Sequence, residues 1–172
     1  MTAKSPFVPL EGGCRCGGVR FRIERAPIIT HCCHCRLCQQ VSGAAFRINT
    51  MIEAAHLTLL TGSPRPYQGK DSHKVMQCPD CALALWSHHT MLGGSIAFVG
   101  IGMLDEGERL APEVHYFTRS KHPWITLPAD VTAFDQLGDP GKAGARARIE
   151  AALAAGGPAG ELGAWTAEPA RS

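Results

Sequence analysis

The sequence predicts a mainly β fold closed by one C-terminal helix. Three observations carry that expectation. Short alternating or apolar runs recur, with turn signals about every ten residues, as in proteins built from short strands. The cysteines gather in tight pairs set in glycine- and proline-bearing turns. Residues 142–155, rich in alanine and arginine, have the composition of a helix.

In chain order, residues 1–10 read as a flexible arm with Pro6 and Pro9. Gly12-Gly13-Cys14-Arg15-Cys16-Gly17-Gly18 follows, where the glycines let the backbone turn and bring N–H groups close to sulfur. Residues 19–24 alternate apolar and charged, the pattern of a half-buried strand. Residues 28–31 read as a second strand that delivers the densest stretch of the chain, Thr30-His31-Cys32-Cys33-His34-Cys35-Arg36-Leu37-Cys38. Residues 36–41 suit one or two helical turns, stopped at Gly43. Residues 44–51 and 56–60 read as strands, with turns at Gly62-Ser63-Pro64 and Tyr67-Gln68-Gly69. Residues 73–77 lead into Cys78-Pro79-Asp80-Cys81, and residues 82–86 leave it as a buried strand. Residues 95–101 are the most apolar run and the expected central strand. A turn at 104–108, a strand at 113–117 and a loop carrying Trp124 complete the β part. Within the helix, Ile149 and Leu153 form a thin apolar edge. The remaining residues to Ser172 have little to pack, apart from Trp165. The division expected is an arm (1–10), a metal-binding domain (11–135), and a helix with a mobile tail (136–172).

Composition narrows the function. The chain has 172 residues, enough for one domain with its own core. A net charge of +2 is too small to argue for nucleic acid or an anionic membrane surface. No apolar run approaches the roughly 20 residues of a membrane span. The first eleven residues lack the apolar stretch of a signal peptide, so a cytoplasmic location is expected. There is no glycine-rich nucleotide fingerprint or phosphate loop.

Eight cysteines are compatible with four disulfides. The missing export signal, the length of the chain and the CxC and CxxC spacing favour metal binding. Thiolates this close repel one another unless a cation sits among them, and zinc is the usual one. Neighbouring side chains on an extended chain point to opposite faces, so Cys32 and Cys33 do not both reach one ion. One of them is a spare, and three ligands remain in that cluster. Cys14, Cys16, Cys78 and Cys81 form a four-sulfur set drawn from two distant knuckles. A set of four is coordinatively closed, whereas a set of three leaves a position open for a thiol, water or aldehyde oxygen. The alternative is two closed sites, with His31 or His34 as the fourth ligand of the cluster. Cys32 also fits as a small apolar residue facing the core.

Gly13-Cys14-Arg15-Cys16-Gly17, Cys33-His34-Cys35-Arg36-Leu37-Cys38, Gly43-Ala44-Ala45-Phe46 and Cys78-Pro79-Asp80-Cys81 resemble the glutathione-dependent formaldehyde-activating enzyme family. His115-Tyr116-Phe117 and Pro123-Trp124 resemble its C-terminal segment. The resemblance runs over residues 11–134 and implies short, coiled antiparallel sheets around two zinc ions. It implies a structural zinc at Cys14, Cys16, Cys78 and Cys81, and a catalytic zinc at Cys33, Cys35 and Cys38, with Cys33 chosen over Cys32. The reaction implied is condensation of glutathione with formaldehyde, classed in reverse as a carbon–sulfur lyase, so the partners are a small thiol and an aldehyde. Two other readings keep the cysteines: a zinc-stabilised binding module, and a zinc enzyme for a different carbon–sulfur substrate.

No residue set for glutathione stands out. Its carboxylates would want arginine or lysine, and Arg20, Arg36, Arg47, Arg65 and Lys121 qualify on charge. His34 suits a hydrogen bond behind the ligands, a place near the open position, or an exposed linker. His88 and His89 suit a loop, or a place facing a pocket. Trp86 and Trp124 suit either a pocket wall or the core.

Overall fold

Eleven strands form two sheets in the computed structural model, which describes residues 6–68, 73–139 and 141–156. The small sheet joins β1 (Leu10–Gly13), β2 (Arg20–Ile23) and β5 (Leu57–Thr61) in the order β1-β2-β5. The large sheet adds β3 (Ile29–Cys33), β4 (Arg47–Glu53), β6 (Arg65–Gln68), β7 (His73–Gln77), β8 (Ala84–His89), β9 (Ile96–Gly100), β10 (Val114–Tyr116) and β11 (Thr132–Ala133). Its order is β11-β10-β3-β4-β9-β8-β7-β6. Two helices complete the described chain: α1 (Arg36–Ser42) and α2 (Ala145–Ala155).

The alternation read in residues 19–24 is the burial pattern observed. Val19, Phe21 and Ile23 are fully buried, and Arg20 and Arg22 reach outward to Asp105 and Glu11. Together with Leu10, Ile52, Leu85, Trp86 and Val99 they form the larger core. A second core gathers Ile29, Met51, Ile96, Val114 and Tyr116 on the face of the large sheet that α2 covers. β9 is central, as its apolar run predicts, between β4 and β8.

Several elements differ from expectation. β10 runs parallel to β3 and β11 within an otherwise antiparallel sheet. Tyr67 belongs to edge strand β6, where Pro66 is tolerated because no further strand needs its missing N–H. His88 and His89 lie on β8 rather than in a loop, and buried His88 sets Nδ1 2.8 Å from the Ile96 carbonyl oxygen. The strand after the CxxC starts at Ala84, because Ala82 takes a left-handed conformation to close the knuckle. The apolar edge of α2 is Ala145, Ile149 and Ala152, while Leu153 faces solvent. Leu10 is buried in β1, and Phe7 packs against the larger core. Trp165 and the tail assigned to it lie outside the described residues.

Candidate metal centres

Two turns build the first cluster. Cys14 and Cys16 sit where β1 reverses into β2, a loop closed by Gly17 N–H to the Cys14 carbonyl and Cys14 N–H to the Val19 carbonyl. Cys78 and Cys81 sit between β7 and β8, where Ala82 N–H bonds the Cys78 carbonyl at 3.0 Å. The four sulfurs lie within 4.8 Å of one another. Cys14 Sγ is 3.3 Å from Cys16 Sγ, and Cys16 Sγ is 3.6 Å from Cys78 Sγ. A tetrahedral zinc with bonds of about 2.3 Å needs sulfur–sulfur edges of about 3.8 Å, so the set fits such an ion. A Cβ on Gly18 would stand 2.9 Å from the Asp80 carboxylate and 3.4 Å from Cys16 Sγ, so glycine keeps the turn clear of the sulfurs.

Burial pushes the Cys14 thiol up, but Val19 N–H at 3.2 Å and the neighbouring thiols outweigh it and bring it down to about 6. Gly18 N–H pulls Cys16 down, yet its three sulfur neighbours push it up to about 12. One thiolate is thus stabilised at the expense of the next. Only a cation lets all four ionise together.

The second cluster comes from one continuous stretch. Cys33 ends β3, Cys35 is the N-cap of α1, and Cys38 lies in its first turn. Cys35 Sγ accepts the Cys38 N–H at 3.4 Å, which turns both sulfurs to one side of the helix start. Gly43, left-handed at φ 62°, ends the helix as its sequence position predicts. The three sulfurs lie within 4.8 Å of one another, and among the described residues the set stops at three. A hydrogen bond from Cys38 brings the Cys33 thiol down to about 6, against burial, while Cys38 is pushed up by the same contact.

Cys32 and Cys33 do point to opposite faces, and the other face holds a group that the sequence did not reveal as a unit. Cys32, His34 and His115 place their donor atoms within 4.8 Å of one another. His34 Nε2 is 2.9 Å from His115 Nδ1 and 3.6 Å from Cys32 Sγ. The parallel pairing of β10 with β3 sets His115 opposite Cys32. His34 is fully buried against Phe46 and is no exposed linker. Burial, with His115 and Lys121 nearby, lowers it to about 4. Burial and the adjacent Cys33 push Cys32 up to about 12. This triad can hold an ion, or a shared hydrogen bond between neutral rings. His115 carried no short-range signal, since it lies 81 residues from His34.

The remaining candidates separate cleanly. Trp86 is buried in the larger core, edge-on to Phe21. Trp124 is exposed and stacks on His122. Arg20 pairs with Asp105, Arg36 with Gln39, and Lys121 with the carbonyls of His122 and Ile125. Arg65 is exposed on β6. Arg47 has no hydrogen-bonding or carboxylate partner among the described residues. Its neighbours His31 and Asn49 leave Nδ1 and Oδ1 buried without partners.

Fold and donor sets together define a mainly β protein whose cysteine and histidine clusters can bind metal ions. The sequence model of the glutathione-dependent formaldehyde-activating enzyme family matches residues 9–120, and the chain belongs to that family. The match spans both cysteine clusters and His115 and stops short of α2. Among solved structures, the chain is similar to a Rhodobacter sphaeroides protein, at 19% identity over 56% of this chain and 88% of that one, with a TM-score of 0.44. No curated protein matches the chain. Among the described residues, no helix is long and apolar enough to cross a membrane.

Proposed function

We propose that this chain is a zinc-dependent carbon–sulfur lyase that condenses a thiol, glutathione first among them, with formaldehyde or a related aldehyde. The single observation that carries this reading is the contrast between the clusters: one offers four converging sulfurs, the other three. In this assignment Cys14, Cys16, Cys78 and Cys81 hold a structural zinc. Cys33, Cys35 and Cys38 hold a second, catalytic zinc, giving two per chain.

Zinc held by three thiolates would supply positive charge that lowers the pKa of a substrate thiol and polarises a carbonyl oxygen. The chain supplies position. Cys33 is fixed by strand pairing on both sides, and Cys35 and Cys38 by the capped start of α1. The Arg47 guanidinium acts on Cys38 and adds fixed positive charge at this edge of the cluster. In the reaction the thiol gives up its proton and its sulfur pair bonds the aldehyde carbon. The carbonyl π pair moves to oxygen, which takes up a proton, so the step is redox-neutral. A reducing cytoplasm, which keeps free thiols intact, suits such chemistry.

Cys35→Ala is the test. The variant is expected to stay folded, because the four-sulfur clamp is untouched. It should lose one equivalent of zinc and its catalysis of exchange between isotope-labelled formaldehyde and its glutathione adduct, followed by NMR. A folded Cys35→Ala protein with unchanged exchange rates would refute the assignment.

A further inference from the structure

We propose that Arg47, Asn49 and His31 form a carboxylate-binding subsite beside Cys33, which selects thiol substrates that carry a carboxylate. The proposal rests on the thiol–aldehyde reading for its substrate and on independent geometry for its site.

Register places the three residues on one sheet face. Cys33 pairs with Arg47, and His31 pairs with Asn49. Gly100 pairs with Asn49 from the other side. Residues directly paired across strands share a face, so His31, Cys33, Arg47 and Asn49 project together. The Cβ that Gly100 lacks would stand 3.6 Å from Arg47 Nη2, so the guanidinium lies across the glycine. The same guanidinium acts electrostatically on His31 and on Cys38, which brackets its position between the two.

All three polar groups are unsatisfied. Arg47 is half-buried, and burial lowers its pKa. Its five N–H donors meet no acceptor among the described residues. His31 and Asn49 are more than nine-tenths buried, at 8% and 7% exposure, and leave Nδ1 and Oδ1 unpaired. Phe98 and Tyr116 pack on His31 and are aromatic neighbours rather than strong acceptors. Two buried polar atoms without partners are costly unless something binds them, and the half-buried guanidinium beside them is the group to bring it there.

The donor set describes the ligand. A guanidinium fork matches a carboxylate through two parallel N–H···O bonds. Asn49 Oδ1 asks for an N–H, such as the amide next to the carboxylate in an amino-acid or peptide thiol. Arg47 pairs with Cys33 in register while its guanidinium lies over Gly100 on β9, so the ligand's thiol would sit at the cysteine cluster and its carboxylate on the β9 side of it, as a cysteine derivative can present them.

The experiment uses the zinc-loaded full chain and two probes, N-acetylcysteine and its C-terminal amide, which differ only in the carboxylate. Calorimetric titration should show wild type preferring the acid by about tenfold or more, and Arg47→Met should bring the two within about twofold of each other. Arg47→Lys, which keeps the charge but not the fork, should retain part of the preference and serves if Arg47→Met does not fold. Equal binding of both probes by wild type, or a preference retained in Arg47→Met, overturns the subsite. Arg47→Met weakening both probes alike also overturns it and assigns Arg47 to the cysteine cluster alone. Failure of both probes to bind overturns the subsite and the thiol reading together. An acid preference without adduct formation from formaldehyde would leave the subsite standing and remove only the proposed reaction.

Discussion

Replacing Arg148 with alanine is predicted to loosen α2 from the sheet, and the structure gives the size of the effect. Arg148 donates from Nε to Glu53 Oε1 and from Nη2 to Glu53 Oε2, both at 2.6 Å. It also reaches the Pro27 carbonyl at 3.1 Å and the Ala26 carbonyl at 2.8 Å. The Glu53 side chain is only 10% exposed and that of Arg148 22%, so the pair is largely desolvated. Breaking such a pair from one side costs about 3–5 kcal/mol, because the other charge is left stranded. Arg25, 3.6 Å from Glu53 but half in solvent, offsets a fraction. A loss of about 3 kcal/mol therefore follows, which at roughly 2–4 °C per kcal/mol lowers the melting midpoint by about 6–12 °C.

The pH dependence supplies the sign. Burial pushes the Glu53 carboxyl up, but Arg148 outweighs it and holds the pKa below the ordinary value. A depressed folded pKa gives stability that is present above the unfolded pKa of about 4 and is lost as pH falls through the folded value. In Arg148→Ala burial wins, Glu53 titrates above its ordinary range, and the deficit against wild type shrinks towards acid. Thermal melts of both proteins at neutral and mildly acidic pH measure this. A deficit below about 1 kcal/mol at neutral pH, or one that does not change with pH, would refute the stranded-charge account. Glu53→Gln with Arg148→Met should recover part of the loss, since no charge then remains buried.

Zinc analysis should return two equivalents per chain, with one made labile by glutathione; a third would place an ion at Cys32, His34 and His115. Cys78→Ala should fail to fold, as should chelated wild type, because four-thiolate zinc contributes about 10–16 kcal/mol against a domain stability of about 5–15 kcal/mol; native circular dichroism after complete chelation would reject the clamp. Cys32→Ala should keep its zinc content and cost no more than about 1.5 kcal/mol by denaturant melts, as a small buried residue outside both thiolate sets.

The cysteine clusters were legible because their spacing is local: Cys14 with Cys16, Cys78 with Cys81, and Cys35 with Cys38 each occupy a single turn. Strands with clean alternation, such as Val19, Phe21 and Ile23, were legible for the same reason. What escaped was long-range. Nothing near His115 announces that a parallel pairing will set it against His34. His88 and His89 look like loop residues until β8 is seen between β7 and β9, where Ile96 supplies the buried ring with a carbonyl. The subsite residues were equally silent. Arg47 was one of five cations of equal merit by charge, and only strand register brings it to Asn49, His31 and Cys33.

β3 carries a different alphabet on each side. Its odd positions, Ile29, His31 and Cys33, contribute to the face with Arg47 and Asn49; its even positions, Thr30 and Cys32, look the other way and continue into His34. Thr30 and Thr50 share a hydroxyl hydrogen bond at 3.0 Å on that second side, and β4 and β10 pin the strand from both flanks. The parity of this segment thus matters more than any single letter in it. Point changes on one side leave the other readable, whereas a single inserted or deleted residue before Cys32 would transpose the two messages at once.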